Sequence, residues 1–90
     1  MVLTEIQEKV EVNKDVEKNR SLVLYNDDVN TFEHVIDALI KICKHETMQA
    51  EQCTWIVHYN GKCTVKEGDF RSLRPMRQAL NEKGLTAKIH

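Results

Sequence analysis

No apolar run in this chain approaches the roughly 20 residues that a membrane-spanning helix requires. The N-terminus opens without the apolar segment of a secretory signal. A cytoplasmic protein with no membrane partner is therefore expected. Neither sign of charge prevails: thirteen Lys and Arg stand against fourteen Asp and Glu, a net charge of −1 with no basic stripe. Nucleic acid is not an expected partner. Cysteine is scarce and odd in number. Cys43, Cys53 and Cys63 show no CxxC spacing, which argues against a disulfide framework and for free thiols in a reducing compartment. Zinc would add His45 and His58 as ligands, but structural sites use closely paired ligands and only Cys43-x-His45 comes near. Small buried hydrophobes are the expectation for the three. No local signature marks a Cys or His nucleophile, so no enzyme and no cofactor are expected. Repeats and low-complexity tracts are absent, and 90 residues make one domain at most.

What is present begins with a contrast. Residues 1–19 alternate charges with single Val and Ile and contain no aromatic. They read as a flexible N-terminal extension, with Val10 and Val12 as a short strand at most; residues 20–90 read as the domain. Ser21 to Tyr25 is a β-branched and aromatic run, the expected central strand. Phe32, Val35, Ile36, Leu39, Ile40 and Cys43 then recur at steps of three and four, an amphipathic helix. Asn30 is its expected N-cap, with Glu33 at the capping-box spacing, and Lys44 and His45 suit the dipole at its end. "ETMQAEQCTWIVH" is a second helix with Ala50, Cys53, Ile56 and Val57 on one face, closed by the Asn60-Gly61 turn. Cys63 and Val65 alternate in a strand that Gly68 breaks. The single proline, Pro75, costs about 3 kcal/mol inside a helix and little in its first turn. The third helix is therefore expected from a cap at Ser72 to Gly84. Leu85, Ala87 and Ile89 alternate as a closing strand, with Trp55 expected in the core. The fold class is α+β: a small β-α-α-β-α-β sandwich, three helices on one face of a three-stranded antiparallel sheet.

The turn between the first strand and helix carries Asn26, Asp27, Asp28 and Asn30 in five residues. Asn and Asp suit turns because their side chains bond nearby backbone N–H groups. That accounts for Asn30 and less well for two adjacent acids. Asn26, Asp28 and Asn30 match the one-three-five spacing of a calcium loop, but Thr31 replaces the required Gly and Asp37 the required Glu. Two adjacent carboxylates on a turn do not provide the separate environments of an acid–base pair. A cation site remains: oxygens at the mouth of an apolar helix face suit an ammonium joined to an apolar side chain, such as a free protein N-terminus.

"LYNDDVNTFEHVIDAL", followed by "AEQCTWIVHYNGK", resembles the ClpS family, adaptors that hand N-degron substrates to a Clp-type AAA+ unfoldase and protease. The shared pattern is an apolar strand, Asn-Asp-Asp, a capped helix and a second helix ending in Val-His-x-x-Gly-Lys. The resemblance covers residues 20–66 well and the rest loosely. It implies an adaptor that binds bulky hydrophobic N-terminal residues. It places Asn26, Asp27, Asp28 and His58 on the α-amino group. Asn30, Phe32, Val35, Thr54 and Val57 fall around the side-chain pocket, which Leu85 or Thr86 closes. The implied partners are N-degron peptides and the N-terminal domain of a Clp unfoldase, which also engages an extension placed like residues 1–19.

Two positions and the third helix depart from the family pattern. Thr54 and Phe32 replace methionines in the wall and at the rim, which leaves the preferred N-terminal residue open. The third helix offers Arg71, Arg74 and Arg77 where the family displays a Glu-Thr-x-Lys-like surface. The alternatives are a docking module of the same fold without N-degron binding, and a small metal-binding domain.

Overall fold

The computed structural model describes residues 20–90. The extension expected over residues 1–19, with its strand at Val10 and Val12, lies outside the described residues. The elements follow the expected order: β1 Arg20–Tyr25, α1 Phe32–Cys43, α2 Thr47–Asn60, β2 Lys62–Gly68, α3 Phe70–Glu82 and β3 Thr86–Ile89. Among the described residues no helix is long and apolar enough to cross a membrane.

β1 is central, antiparallel to β2 on one side and β3 on the other. Its run Leu22-Val23-Leu24 is buried throughout, with Leu22 and Leu24 on the face that the helices cover. Leu22 and Leu24 join a core built with Ala38, Leu39 and Cys43 of α1, Ala50, Cys53 and Val57 of α2, and Leu73 and Leu80 of α3. Leu24 pairs with Cys63 of β2 and Ala87 of β3, and the β1–β2 register shifts by one residue between Leu22 and Val23.

Four local expectations are corrected. The N-cap of α1 is Thr31, not Asn30: Thr31 Oγ1 accepts from His34 N at 3.1 Å. The amide of Asn30 is drawn to tertiary partners instead, and no capping box with Glu33 forms. On α2 the buried set is Ala50, Cys53, Thr54 and Val57, while Ile56 faces water. That set keeps the i, i+3, i+4, i+7 spacing of one helix face, and Thr54 is tolerated there because its hydroxyl donates to the Ala50 carbonyl at 2.8 Å. α3 starts at Phe70 rather than after Ser72. Asp69 caps it, with Oδ1 accepting from Ser72 N at 3.1 Å, and Pro75 lies inside the helix. Pro75 and Arg71, one turn back, are exposed, so water reaches the carbonyl that Pro75 leaves without a donor. The Asp69 cap and the burial of Leu73 and Leu80 offset that loss.

The fourth correction concerns His45. Lys44 caps α1 in the left-handed region, φ 62° and ψ 33°, a conformation that costs a non-glycine residue roughly 1–2 kcal/mol. The sharp reversal turns His45 inward rather than toward the helix end. His45 is 5% exposed, and its Nε2 lies 2.6 Å from the Val65 carbonyl of β2. A carbonyl only accepts, so Nε2 carries the proton; Nδ1 is buried without a partner. This side chain, together with Lys66 of β2, whose Nζ donates to the Cys43 carbonyl at 3.2 Å, fastens the α1–α2 connection to the sheet. Replacing His45 with Ala should destabilise the protein by about 2–3 kcal/mol, through a lost buried bond and a new void. Thermal unfolding should fall by on the order of 10–20 °C. A fall under about 4 °C would mean that the connection holds without the imidazole.

Candidate functional site

The turn after β1 is tied to two distant loops. Asn26 N donates to the Gly61 carbonyl at 2.9 Å, which brings the end of α2 beside the turn. Gly61 sits at φ 91°, a left-handed cap that glycine adopts freely, so the Asn60-Gly61 signal meets its structural demand. On the other side, Asn30 Nδ2 donates to the Gly84 carbonyl at 3.0 Å. His34 Nε2 lies 2.8 Å from the Lys83 carbonyl and donates to it, a role the sequence did not signal. These bonds draw the residue before β3, Leu85, toward the start of α1.

Asp27 organises the turn internally. Its Oδ1 accepts from Val29 N at 2.9 Å and Asn30 N at 2.8 Å, and its Oδ2 accepts from Asn30 Nδ2 at 2.8 Å. Partial burial pushes its pKa up, but the hydrogen bonds from Asn30 and Val29 and the charge of His34 outweigh this, and the net shift is downward.

Between these loops lies a cavity of about 40 Å³, lined by Leu24, Tyr25, Asn26, Asp27, Asn30, Phe32, Val35, Thr54, Val57, His58 and Leu85. That is room for three or four water-sized groups, comparable to a leucine side chain. Leu24, Thr54, Val57 and Leu85 are buried and make its floor; Asn26 and His58 are exposed at its mouth. Because the Thr54 hydroxyl donates to its own helix, Thr54 adds no free donor to the floor. The lining holds one carboxylate and no Lys or Arg.

Nine of the residues named from the sequence therefore meet around one cavity. Asp28 does not: it is exposed and absent from the lining, because the bonds to Asp27 turn the chain outward after it. Of the two candidates near β3, Leu85 lines the cavity and Thr86 is exposed. Leu24 and Tyr25 also line it and were not singled out, since nothing separates them from core strand residues in the sequence. Trp55, expected in the core, is 49% exposed and packs on Phe32, ring centroids 4.7 Å apart. The core places adjoining Thr54 are filled, and Trp55 falls outside the buried face of α2.

The cysteines do not take part. Burial pushes the Cys43 thiol up to about 11. Burial, with the Cys53 thiol beside it, pushes Cys63 up to about 12. Thiols held protonated at neutral pH are poor nucleophiles. Among the described residues no group of three His, Cys, Asp or Glu side chains could hold a metal ion.

The family model described as ATP-dependent Clp protease adaptor protein ClpS matches residues 15–88. The chain belongs to the ClpS family. The ATP-dependent Clp protease adapter protein ClpS of Thermosynechococcus vestitus is 33% identical over 81 residues, 89% of this chain and 86% of its own length. ClpS of Synechocystis sp. is 36% identical over 69 residues, 76% of this chain and 70% of its own. The structure of Agrobacterium tumefaciens ClpS2 bound to L-phenylalaninamide covers 82% of this chain and 96% of its own with a TM-score of 0.75; at 19% identity this is a likeness of fold. The ClpS fold is thus present over β1 to β3.

Proposed function

We propose that this ClpS-family chain is an adaptor that binds proteins through a bulky hydrophobic N-terminal residue and delivers them to a Clp-type AAA+ unfoldase for degradation. The observation that carries this is the cavity: an apolar floor beneath a mouth of oxygen and nitrogen acceptors, with no Lys or Arg in its lining. An ammonium offers three donors and a positive charge. Asn26, Asp27 and His58 accept them at the mouth, while the first side chain enters between Val35, Thr54, Val57 and Leu85. Asp28, exposed nearby, adds its charge through solvent. The phenylalaninamide named with the Agrobacterium protein, a free amine on an aromatic residue, supports the same division of labour. The N-terminal domain of the unfoldase is the proposed receiving partner.

Charge-assisted bonds contribute about 1.5–3 kcal/mol each, and burying a Leu or Phe side chain roughly as much. Lost freedom consumes a large share, so micromolar affinity is expected. The test is fluorescence anisotropy with peptides that begin with Leu, Phe and Ala, and with an acetylated Phe. Preference for free Leu or Phe supports the adaptor; equal behaviour of all four overturns it.

The floor also makes a prediction about selectivity. Thr54→Val keeps shape and removes a hydroxyl whose proton is already bound to the Ala50 carbonyl, so affinities should stay within about twofold. Thr54→Met fills the cavity, and Phe-initiated peptides should lose about tenfold relative to Leu-initiated ones. Unchanged Phe affinity in Thr54→Met would show that the side chain is held elsewhere.

A further inference from the structure

Four rings meet at the edge of the cavity, and only two of them line it. Phe32 contacts Trp55 at 4.7 Å and His58 at 5.2 Å, both edge to face. Trp55 and Tyr59, one turn apart on α2, stack at 5.3 Å with an interplanar angle of 8°. Tyr59 also meets His58 at 4.9 Å. Trp55 is 49% exposed and Tyr59 72%. The same helix exposes Met48, seven residues before Trp55, although its opposite face already supplies the core. A helix apolar on both sides, in a domain this small, leaves one face for something else.

The position of the rings indicates what that is. A peptide held by its first residue must leave the cavity along its rim, and an extended chain advances 3.3–3.6 Å per residue. Phe32 and His58 form part of that rim, and Trp55 and Tyr59 lie one ring beyond them. Glu51, exposed one turn before Trp55 on the same face, adds a negative charge beside the electron-rich ring surfaces.

We propose that the stacked Trp55–Tyr59 pair is a second subsite, which takes the second side chain of a bound peptide and favours a planar one, an aromatic ring or an arginine guanidinium. The inference rests on the adaptor reading of the cavity. Aspartate at the second position meets Glu51 and gains nothing from the rings. The spread should be about 3- to 10-fold, with Phe-Trp and Phe-Arg above Phe-Ala and Phe-Ala above Phe-Asp.

The experiment is anisotropy with peptides that begin Phe-Trp, Phe-Arg, Phe-Ala and Phe-Asp and are identical afterwards. They are tested on the full chain, on Tyr59→Ala and on Trp55→Ala. Val29→Ala serves as a control, because Val29 is the exposed apolar residue of the turn on the other possible way out. Support is a graded series in the full chain in which the advantage of Phe-Trp and Phe-Arg over Phe-Ala narrows to within about twofold in Tyr59→Ala and survives in Val29→Ala, while Phe-Asp stays lowest. Tyr59 is exposed enough that its removal should leave the fold intact; Trp55→Ala adds a second, stronger truncation. A flat series, with Phe-Ala still binding and acetyl-Phe-Ala not, overturns the subsite and leaves the adaptor standing. A series that collapses in Val29→Ala also overturns it, by placing the second residue over the turn. No binding of Phe-Ala at all overturns both.

Discussion

Acetylating a Phe-initiated peptide should weaken its binding at least about 100-fold. The blocked nitrogen keeps one of three donors and loses its charge. Two charge-assisted bonds are gross contributions of about 1.5–3 kcal/mol each, and 100-fold requires only about 2.7 kcal/mol. The acetyl group must also fit among the polar groups of Asn26, Asp27 and His58. An Ala-initiated peptide keeps the ammonium and loses the buried side chain, so it should fall about 10- to 100-fold, less than the blocked one. Asp28→Ala should change affinity by no more than about threefold, since its carboxylate is exposed and screened. Acetyl-Phe binding within threefold of free Phe would mean that the mouth does not read an ammonium.

Asp27→Ala should do more harm than any other change in the turn. It removes the acceptor for three hydrogen bonds at once. Asn30 then loses the partner that aims its amide at Gly84, and the link to the residue before β3 weakens. About 1–2 kcal/mol of stability should be lost, the exposed part of the carboxylate being screened by water. Peptide affinity should fall more than about 30-fold, because Asp27 both accepts from the ammonium and holds the mouth in shape. The loss carries a pH signature. Hydrogen bonds lower the native pKa of Asp27 beneath its ordinary value of 3.8. A lowered carboxylate stabilises the fold above its unfolded pKa, and that contribution disappears as pH falls through the native value. The stability difference between wild type and Asp27→Ala should therefore be constant above about pH 5 and shrink progressively below it. Chemical denaturation at pH 7, 4 and 2.5 measures this. A difference independent of pH would mean that the carboxylate charge is not what holds the turn.

The legibility of the site differs residue by residue. Val35 and Val57 could be placed at the pocket through the resemblance to the ClpS family; periodicity alone marks a clear face on α1 but not on α2, where Thr54 is buried and Ile56 faces water. Asn26 and Asp27 could be singled out because acids and amides were concentrated where a simple turn needs fewer. Asp28 could not be separated from Asp27: adjacent residues of one type differ only in which one the folded chain turns inward. Asn30 looked like a cap because one-dimensional spacing cannot foresee Gly84, 54 positions away. Pro75 displaced the expected start of α3 because the propensity cost was weighed without the Asp69 cap and the burial of Leu73 and Leu80. A lone large aromatic on a helix suits the core, but the core places on this helix are filled by Ala50, Cys53, Thr54 and Val57, and Trp55 stays outside.

By itself the sequence determined the element order, the central strand, the identity of the polar turn and the family. These depend on local periodicity, turn chemistry and motif spacing, which act over a few residues. The tertiary structure decided what the turn faces. Only long-range bonds, from Asn26 to Gly61, Asn30 to Gly84 and His34 to Lys83, bring His58 and Leu85 to the same cavity. Only packing decides that Trp55 and Tyr59 stay at the surface beside it. Such pairings are chosen by the competition among all buried groups for a small core, and no local window of the chain contains that competition.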